Sequence, residues 1–546
     1  MKKHWFVLLA IAMPFWSQVQ AKKVYVKLSD DTEAWSYVTQ DDNNMVVTIS
    51  DGKFNGILGN ILAGDVVWVA KGVYQLTGSV NVNGEREGAK IYGGFKGDET
   101  SLEQRSLIDC DENGIVEPWE FEHETRFVGN TEAEPSYRMF TINAAGDVLD
   151  GVTICDNTNV NDHGVGAFLK NGAVLSNCII RNIKSAANKN SAVNGTGVFV
   201  DGNGLIKACL IENCENYNEH ESGSTYGGGV NISGKTSVIS NSVIRNNHVI
   251  SSKNALGGGV FVNAGATMEN CVVFNNSADY RGGGIYVHSG GGQLYNVTVA
   301  KNMGAQAGGG IFANGRSVIY NSVFWGNVNQ QGNANSINLN QAGFVETTAY
   351  CGEQGAGIWM ENKNLNESPV LYQFIELNDL TEEVTEGLAP RFIRPTVEPG
   401  IGYEFLEGTL EAIAKANWGL LPNSDLIDKG VNSIPDYTIS ATDMCGNSRP
   451  VGDKYDLGAY ELGSGATGFV NNIQSDGKSY TFDICSNGVT VKGIGKLAKV
   501  QVYSATGVLQ KTLSMRNGET IALFERGVYL LSIAEEGIVQ SAKIAF

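Results

Sequence analysis

The sequence has little proline and little positive charge. Among 546 residues there are 10 prolines, and 39 lysines and arginines stand against 58 aspartates and glutamates, which gives a net charge of −19. No basic cluster could neutralise successive phosphates, so we expect no nucleic-acid partner. Charged residues amount to 18% and hydrophobic residues to 42%, and this balance excludes an intrinsically disordered chain.

Cysteines and long apolar runs are also scarce. Nine cysteines are too few for a disulfide scaffold, and their odd number leaves at least one thiol unpaired within the chain. The apolar run 5–16 follows Lys2 and Lys3 and is shorter than the roughly 20 residues that cross a bilayer. Because 19–21 has the small residues that a signal peptidase accepts, residues 1–21 are predicted to be a signal peptide, and the mature chain is predicted to have no transmembrane segment. A short membrane anchor is the alternative.

Glycine, by contrast, is abundant and recurs in a pattern. Triplets followed by valine or isoleucine begin at Gly227, Gly257, Gly282 and Gly308. Aliphatic runs that end in asparagine keep step with them at 177–182, 208–213, 241–246 and 270–275. Short β-branched runs bounded by glycine and asparagine predict strands joined by tight turns, and no unit has a helical stripe. The repeat therefore predicts a solenoid whose coils pair in parallel about 4.8 Å apart.

This repeat resembles the right-handed parallel β-helix of the pectate-lyase-like superfamily. The phrases Gly-Gly-Gly-Ile-Tyr at 282–286 and Phe-Trp-Gly-Asn at 324–327 are also similar to the repeats of polymorphic outer-membrane proteins. The resemblance covers about residues 140–330 and implies an all-β fold. We predict an N-terminal cap and first coils over 22–140, a right-handed parallel β-helix over 141–462, and a small C-terminal β-sandwich.

The C-terminal residues carry a separate signal. After a Gly/Ser-containing linker at 463–476, the runs 500–507 and 527–533 and the final Lys543-Ile544-Ala545-Phe546 resemble a type IX secretion sorting domain over 477–546. The resemblance implies recognition by the type IX secretion machinery and release or attachment at the outer cell surface of a Gram-negative bacterium. An ordinary β-sandwich module that binds sugar is the alternative.

One acidic segment, 109–120, has the spacing of calcium ligands. Oxygen donors stand at its positions 1, 3, 5, 9 and 12, with glycine at position 6. Calcium binds six to eight oxygens around a sharply turned loop, and the order resembles an EF-hand-type loop inserted between early coils. The predicted Ca²⁺ ligands are Asp109, Asp111, Asn113, the carbonyl of Ile115, Glu117 and Glu120. A solvated acidic turn is the alternative.

An aromatic residue usually follows the glycine motif by two places. The column reads Phe168, Phe199, Asn231, Phe261, Tyr286 and Phe312. The aliphatic residues beside it make a better inward pair, since burying Asn231 and Tyr286 unpaired would cost a few kcal/mol. We expect an outward stripe of rings that suits consecutive sugars, with Phe168, Phe199, Phe261, Tyr286 and Phe312 as ligand-binding residues. An aromatic core stack is the alternative.

Two further columns follow from the same register. Asn182, Asn213, Asn246 and Asn275 are expected to adopt the left-handed conformation and to pass amide hydrogen bonds between coils. Arg181, Glu212 and Arg245 are expected to form a stack of alternating charge on the solvent face.

Catalytic residues cannot be identified in this pattern. The carboxylates between 164 and 330 are spread over several coils, and Arg281, beside Asp279, is the best isolated candidate for a base. We therefore predict a secreted or surface-displayed scaffold that is adhesin-like or glycan-binding, with a polysaccharide or a host or cell-surface glycan as its partner. A polysaccharide lyase or glycoside hydrolase of the pectate-lyase-like superfamily is the alternative.

Overall fold

The computed structural model is all-β and is built on a parallel β-solenoid, as predicted. The predicted signal peptide (1–21, apart from Ala21) and the predicted linker (463–476) lie outside the described residues. The structure describes residues 21–50, 54, 64–82, 88–132, 136–159, 163–333, 336–339, 345–354, 359–360, 373–377, 389–401, 409–462, 481–485, 488–504, 509–522, 528–535 and 538–545.

Each coil contributes one strand to a ten-stranded parallel sheet, which we call face I. Its strands are Val80–Val82, Phe140–Ile142, Ala167–Lys170, Val198–Asp201, Val230–Ser233, Val260–Asn263, Ile285–Val287, Ile311–Ala313, Ile337–Leu339 and Trp359–Met360. Short strands that precede the glycine motifs form a small parallel side sheet next to face I. They are Ala192–Asn194, Ser224–Tyr226 and Asn254–Leu256.

The rest of each coil forms three consecutive faces of a second parallel sheet. Face II contains Asn44–Ile49, Lys23–Leu28, Val66–Ala70, Lys90–Phe95, Val148–Asp150, Val174–Ser176, Leu205–Lys207, Val238–Ser240, Ala266–Glu269, Gly292–Tyr295 and Ser317–Tyr320. Face III contains Gly72–Gln75, Thr125–Val128, Thr153–Asn159, Ile179–Ala187, Leu210–Glu212, Val243–Arg245, Val272–Phe274, Thr298–Ala300, Val323–Trp325 and Gln373–Leu377. Face IV contains Glu215–Asn218, His248–Ser251, Ser277–Ala278, Met303–Gly304 and Val328–Asn329, and Val345–Gln354 pairs with strands of both face II and face III.

Asparagines turn the chain between faces III and IV. The left-handed conformation predicted for Asn182, Asn213, Asn246 and Asn275 is confirmed, with φ from 51° to 56°. Asn246 Nδ2 donates to Asn213 Oδ1 of the preceding coil at 2.6 Å. Asparagine tolerates this backbone region because its short side chain can form local hydrogen bonds there. The predicted amide ladder is therefore present through Asn182, Asn213 and Asn246. Asn275 departs from it, since its Nδ2 donates to Glu398 O and Gly400 O.

A second asparagine ladder lies inside the solenoid, one residue further along the chain. Its members are Asn247, Asn276, Asn302 and Asn327, all fully buried. Within the ladder, each Nδ2 reaches the next coil's Oδ1 at 3.0 Å. Each of the four also donates to a main-chain carbonyl of the preceding coil. Because a buried amide without partners costs a few kcal/mol, this full set of hydrogen bonds allows polar side chains in an otherwise aliphatic core.

The glycine triplets lie at the corner where the chain enters face I. Gly258 donates to Gly282 O of the next coil at 3.0 Å, and the other triplets repeat the contact. A Cβ at Gly258 would overlap the backbone oxygens of Ser277 and Gly283. The predicted stacking of the triplets is confirmed, and the close approach of neighbouring coils is what requires glycine there.

A cover made of residues 105–121, 389–401 and 409–462 lies over the outward side of face III. The cover includes an antiparallel pair, Phe392–Arg394 with Asn417–Leu420, and the α-helix Thr409–Ala414; the 3₁₀-helix Leu102–Gln104 precedes it. Phe274 of face III contacts Trp418 of the cover with ring centroids 5.3 Å apart, and Trp119 joins the same apolar cluster. The outward side of this face is therefore a second core.

A buried ion pair fastens the end of the cover. Arg449 Nε donates to Glu461 Oε2 at 3.1 Å, and neither side chain has any exposed surface. Arg449 also donates to Asn270 Oδ1 of the solenoid at 2.9 Å and to Gly458 O at 3.1 Å. Burial and the nearby Glu461 carboxylate raise the pKa of Asp456 to about 7. These buried charged side chains link the end of the cover to Asn270 of the solenoid.

The C-terminal strands form two antiparallel sheets. One contains Thr481–Cys485, Gly488–Lys492 and Glu519–Ala522, and the other Leu509–Met515, Ala498–Ser504, Val528–Glu535 and Ile538–Ala545. Val491 and Ile521 of the first sheet and Val500 and Leu531 of the second belong to one apolar cluster. This pair of sheets agrees with the small β-sandwich expected from the sequence.

Candidate functional site

The ring column predicted from the sequence lies in a single register on face I. Strand pairing places Phe168 beside Phe199, Phe261 beside Tyr286, and Tyr286 beside Phe312, and Asn231 stands between Phe199 and Phe261. The flanking Val230 and Ile232 belong to the solenoid core. Because side chains alternate across a strand, the column points away from that core, as expected.

The rings stack against one another, so their faces are not open to solvent. Phe168 and Phe199 have centroids 5.0 Å apart and planes at 6°, and Tyr286 and Phe312 have 5.4 Å and 5°. Each ring therefore presents its face to the ring of the next coil. In this arrangement ring edges, and not faces, point outward.

The expectation of an exposed stripe is wrong for Phe261, Tyr286 and Phe312. Phe261 is 4% exposed, Tyr286 is 5% exposed, and Phe312 is fully buried. Burial also raises the pKa of Tyr286 to about 12. The physical reason is that the residues just before the glycine triplets fold against these rings. They are Tyr226, Leu256, Tyr280 and Ala307.

At the other end of the column Phe168 is also buried, at 9% exposed, so the expected exposure fails there too, and Phe199 is half-buried. Cations accompany these two rings. Lys170 Nζ and the Arg138 guanidinium each lie 4.5 Å from the centroid of the Phe168 ring. The ring of His163 lies edge-on to Phe199, and its Nδ1 accepts a hydrogen bond from Asn194 N at 3.0 Å. Cations over an aromatic face are attracted by the ring quadrupole. The two positive charges are therefore held at the entrance to the column.

A second outward column runs beside the rings, two residues further along each strand. Its members are Lys170, Asp201, Ser233, Asn263, His288 and Asn314, all partly or fully exposed. Lys170 Nζ and Asp201 Oδ2 are 3.8 Å apart, and His288 Nδ1 is 3.1 Å from Asn263 Oδ1. We call these six residues the polar column. It offers one hydrogen-bonding side chain per coil on face I.

The candidate base Arg281 does not meet a carboxylate cluster. Its guanidinium lies 4.8 Å from the ring centroid of Tyr280 and 4.6 Å from that of Phe312. Asp279 instead pairs with His248, whose Nε2 lies 2.9 Å from Asp279 Oδ1. Arg281 therefore packs over the ring column and helps to bury it.

The predicted calcium loop folds as a compact turn. Gly114 has φ 89°, and its N–H donates to Asp109 Oδ2 at 3.0 Å. Asn113 N donates to Asp111 Oδ1 at 3.1 Å. Carboxylate oxygens of Asp109, Asp111 and Glu120 converge within 4.8 Å of one another. Three of the six predicted ligands therefore come together.

Two of the other predicted ligands, Asn113 and Glu117, form hydrogen bonds within the loop. Glu117 is 3% exposed, and its Oε1 accepts from Asn113 Nδ2 at 2.8 Å. Asn113 Oδ1 accepts from Ile115 N at 2.7 Å, so this oxygen is already engaged. Burial and the adjacent Glu120 carboxylate hold the pKa of Glu117 well above its usual value. The binding of Ca²⁺ stays a prediction.

Arg245 contradicts the expected stack of charges on the solvent face. The register Arg181, Glu212, Arg245 is present in face III, but the Arg245 side chain is buried. It donates to Glu212 Oε2 at 2.8 Å, to Asp111 Oδ2 at 3.2 Å and to Ala414 O at 2.9 Å. The cause is the cover, whose residues lie far from this repeat in sequence and close over it.

Seven cysteines, those whose side chains the structure describes, form no disulfide: Cys110, Cys155, Cys178, Cys209, Cys214, Cys271 and Cys445. Cys178, Cys209 and Cys271 share their column with Ser242 and are fully buried, as a tight interior position requires.

No protein-family model matches the chain, and no curated protein matches it. Among solved structures, a crystal structure of pectate lyase Pel9A matches with a TM-score of 0.33 and 11% sequence identity, over 81% of this chain and 97% of that chain. Within the residues described, no helix has the length and apolar character needed to cross a membrane.

Proposed function

We propose that this chain is an exported β-solenoid scaffold that binds an acidic polysaccharide on face I and performs no catalysis there. The polar column beside Phe168 and Phe199 is the observation that carries this proposal. Its residues are Lys170, Asp201, Ser233, Asn263, His288 and Asn314.

The spacing of the polar column supports an extended polymer as ligand. Successive coils of a parallel sheet are about 4.8 Å apart, which is on the order of the length of one pyranose ring. A polysaccharide lying along the solenoid axis would therefore meet one polar side chain per sugar. Fixed hydrogen-bonding groups on a rigid scaffold lose little entropy on binding.

The charge at one end of the column supports an acidic glycan. Arg138 and Lys170 approach the Phe168 ring, and Asp201 is the carboxylate within reach of Lys170. Lys170, at the exposed edge of this group, can contact the carboxylates of a uronate-containing chain. A host or cell-surface glycan that carries carboxylates has the same chemistry.

The cover supports a scaffold and not an enzyme. It occupies the outward side of face III with apolar side chains such as Phe274, Trp325 and Trp418. The part of face III around these side chains is therefore closed to a polymeric substrate. A polysaccharide lyase or glycoside hydrolase, the alternative, would need its site elsewhere on the chain.

The termini support export. The apolar N-terminal run predicts a signal peptide, and the C-terminal sheets agree with the resemblance to a type IX secretion sorting domain. We propose that this machinery carries the chain to the outer cell surface of a Gram-negative bacterium or beyond it.

Binding can be tested by retention on immobilised polygalacturonate. We expect Lys170→Ala to weaken retention by about tenfold, since a lost charge contact costs on the order of 1.4 kcal/mol. Lys184→Ala is the matched control, because Lys184 is also half-exposed and paired with a carboxylate, Glu215, but lies on another face. Phe199→Ala should weaken retention as well.

Equal retention of the Lys170 and Lys184 variants would reject face I as the binding surface. The same samples should be followed for the ultraviolet absorbance of unsaturated uronate products. Product formation by the unaltered chain would replace the scaffold with a polysaccharide lyase.

A further inference from the structure

The acidic loop 109–120 is the part of the cover that lies between face III and the cover's later segments, 389–401 and 409–462. On one side Arg245 of face III reaches Asp111 Oδ2 at 3.2 Å. On the other side Asn417 Nδ2 donates to Asn113 O at 2.9 Å, and Arg394 Nη2 donates to Glu112 O at 2.6 Å. The loop therefore contacts cover residues that come nearly 300 positions later in the sequence.

Two buried carboxylate oxygens of this loop have no hydrogen-bond partner. They are Asp109 Oδ1 and Glu117 Oε2, and Glu117 is 3% exposed. A buried ionisable oxygen without a partner costs free energy, so native proteins usually satisfy it with a donor, water or a cation. Asp109 is one of the three residues whose carboxylate oxygens converge within 4.8 Å, and the carboxyl group of Glu117 lies beside that of Glu120, another of the three.

We propose that Asp109, Asp111, Glu117 and Glu120 bind one Ca²⁺, and that this ion fastens the rest of the cover, through Arg394 and Asn417, to face III. The proposal is independent of glycan binding, because none of these residues lies on face I.

The single resident cation does not balance the cluster. Arg245 is the one arginine or lysine side chain within ion-pair distance of the four carboxylates, among the described residues, and it is shared with Glu212. A divalent ion would supply the missing positive charge and would meet the two unpartnered oxygens. Calcium is favoured over magnesium because irregular, all-oxygen sites without ideal octahedral geometry suit the larger ion.

The ion would act on the cover through the loop backbone. Ca²⁺ in the cluster would hold the turn that presents Glu112 O and Asn113 O to Arg394 and Asn417. Trp119, in the same loop, packs into the apolar cluster with Trp418. Loss of the ion should therefore loosen residues 409–420 as well as the loop itself. By linkage, ion binding must stabilise the docked cover.

Ion binding can be measured on the full mature chain after removal of metals with a chelator. We expect Tb³⁺ to luminesce on excitation of tryptophan, because Trp119 lies in the loop, and Ca²⁺ to compete with it better than Mg²⁺. The double change Asp109→Asn with Glu120→Gln should weaken Ca²⁺ binding by about 100-fold or more, since calcium affinity follows the ligand charge.

Glu112→Gln is the matched control. It removes one carboxylate from the same loop, but Glu112 points to solvent and pairs with Lys415. Its Ca²⁺ affinity should stay within about twofold of the unaltered chain. An equal loss in both variants would overturn the assigned ligands, and the absence of Ca²⁺ binding up to about 10 mM would overturn the site.

The fastening role has its own measurement. Hydrogen exchange of amides 409–420 should slow on addition of Ca²⁺ to the unaltered chain and to Glu112→Gln, and should not respond in the double variant. Ca²⁺ binding that leaves this exchange unchanged would overturn the fastening role. Glycan retention measured with and without chelator separates this result from the proposed function.

Discussion

Replacement of Arg449 by methionine is expected to lower the free energy of unfolding by about 3–5 kcal/mol. Arg449 and Glu461 are both fully buried, so the substitution leaves a carboxylate in the interior without its cation. It also removes donors to Asn270 Oδ1 and Gly458 O. The cost arises because the remaining buried groups lose their partners, and not because an ion pair is intrinsically strong.

Denaturant unfolding monitored by tryptophan fluorescence would measure this loss. Lys96→Met is the matched control, since Lys96 pairs with Asp98 at 2.8 Å but both side chains are half or more exposed. Exposed pairs contribute about 0–1 kcal/mol, so the control should unfold almost like the unaltered chain. If Arg449→Met lowered the free energy of unfolding by less than about 1 kcal/mol, the Arg449–Glu461 pair could not be buried as described.

Replacement of Gly258 by alanine is the second change with a large expected effect. Its Cβ would overlap the backbone oxygens of Ser277 and Gly283, which belong to the neighbouring coil. Backbone atoms fixed by strand pairing cannot move aside as a flexible side chain could. We expect a loss of about 3 kcal/mol or more in the free energy of unfolding, at the upper end for overpacking.

Gly202→Ala separates this overlap from the general cost of replacing glycine. Gly202 has φ 77°, and a Cβ there would meet nothing within 4 Å. Its substitution should cost about 1–2 kcal/mol, from the left-handed backbone alone. If Gly258→Ala were no more destabilising than Gly202→Ala, the neighbouring coils could not be as close as described.

The solenoid itself could be predicted because its cause is local and repeated. Glycine triplets and asparagine corners recur in step, so their register predicts which residues of neighbouring coils lie beside Phe168, Phe261 and Tyr286, and the strand pairing confirms it. The inward ladder that includes Asn276 was missed, although the doubled asparagines at 246–247 and 275–276 are its sequence signal.

The environment of each column could not be predicted in the same way. Arg245 and Phe312 are buried by segments outside their own repeat units, or by side strands that the repeat pattern does not mark. Such burial depends on long-range packing, and nothing in the spacing of a repeat encodes it. The calcium loop was recognisable from its spacing, but its position between Arg245 and Asn417 was not.

The outward sides of face I and face III differ in accessibility because of the same long-range packing. Face III is apolar around Phe274 and Trp325 and is occupied by the cover, whereas the polar column of face I has no such apolar surface to bury. The surface that we propose for binding is accordingly face I and not face III.

Cross-linking of engineered cysteines tests the stacking of coils most directly. Lys170 and Asp201 are register partners on adjacent coils of face I, and Ser233 lies one coil further. In a background with the exposed Cys110 and Cys445 changed to serine, the pair Lys170→Cys with Asp201→Cys should form a disulfide readily, because adjacent coils lie about 4.8 Å apart. The pair Lys170→Cys with Ser233→Cys should not, because two coils separate the cysteines by about 10 Å. Disulfide formation in the second pair and not in the first, read by mass spectrometry of peptides, would contradict the stacked register on which the binding face depends.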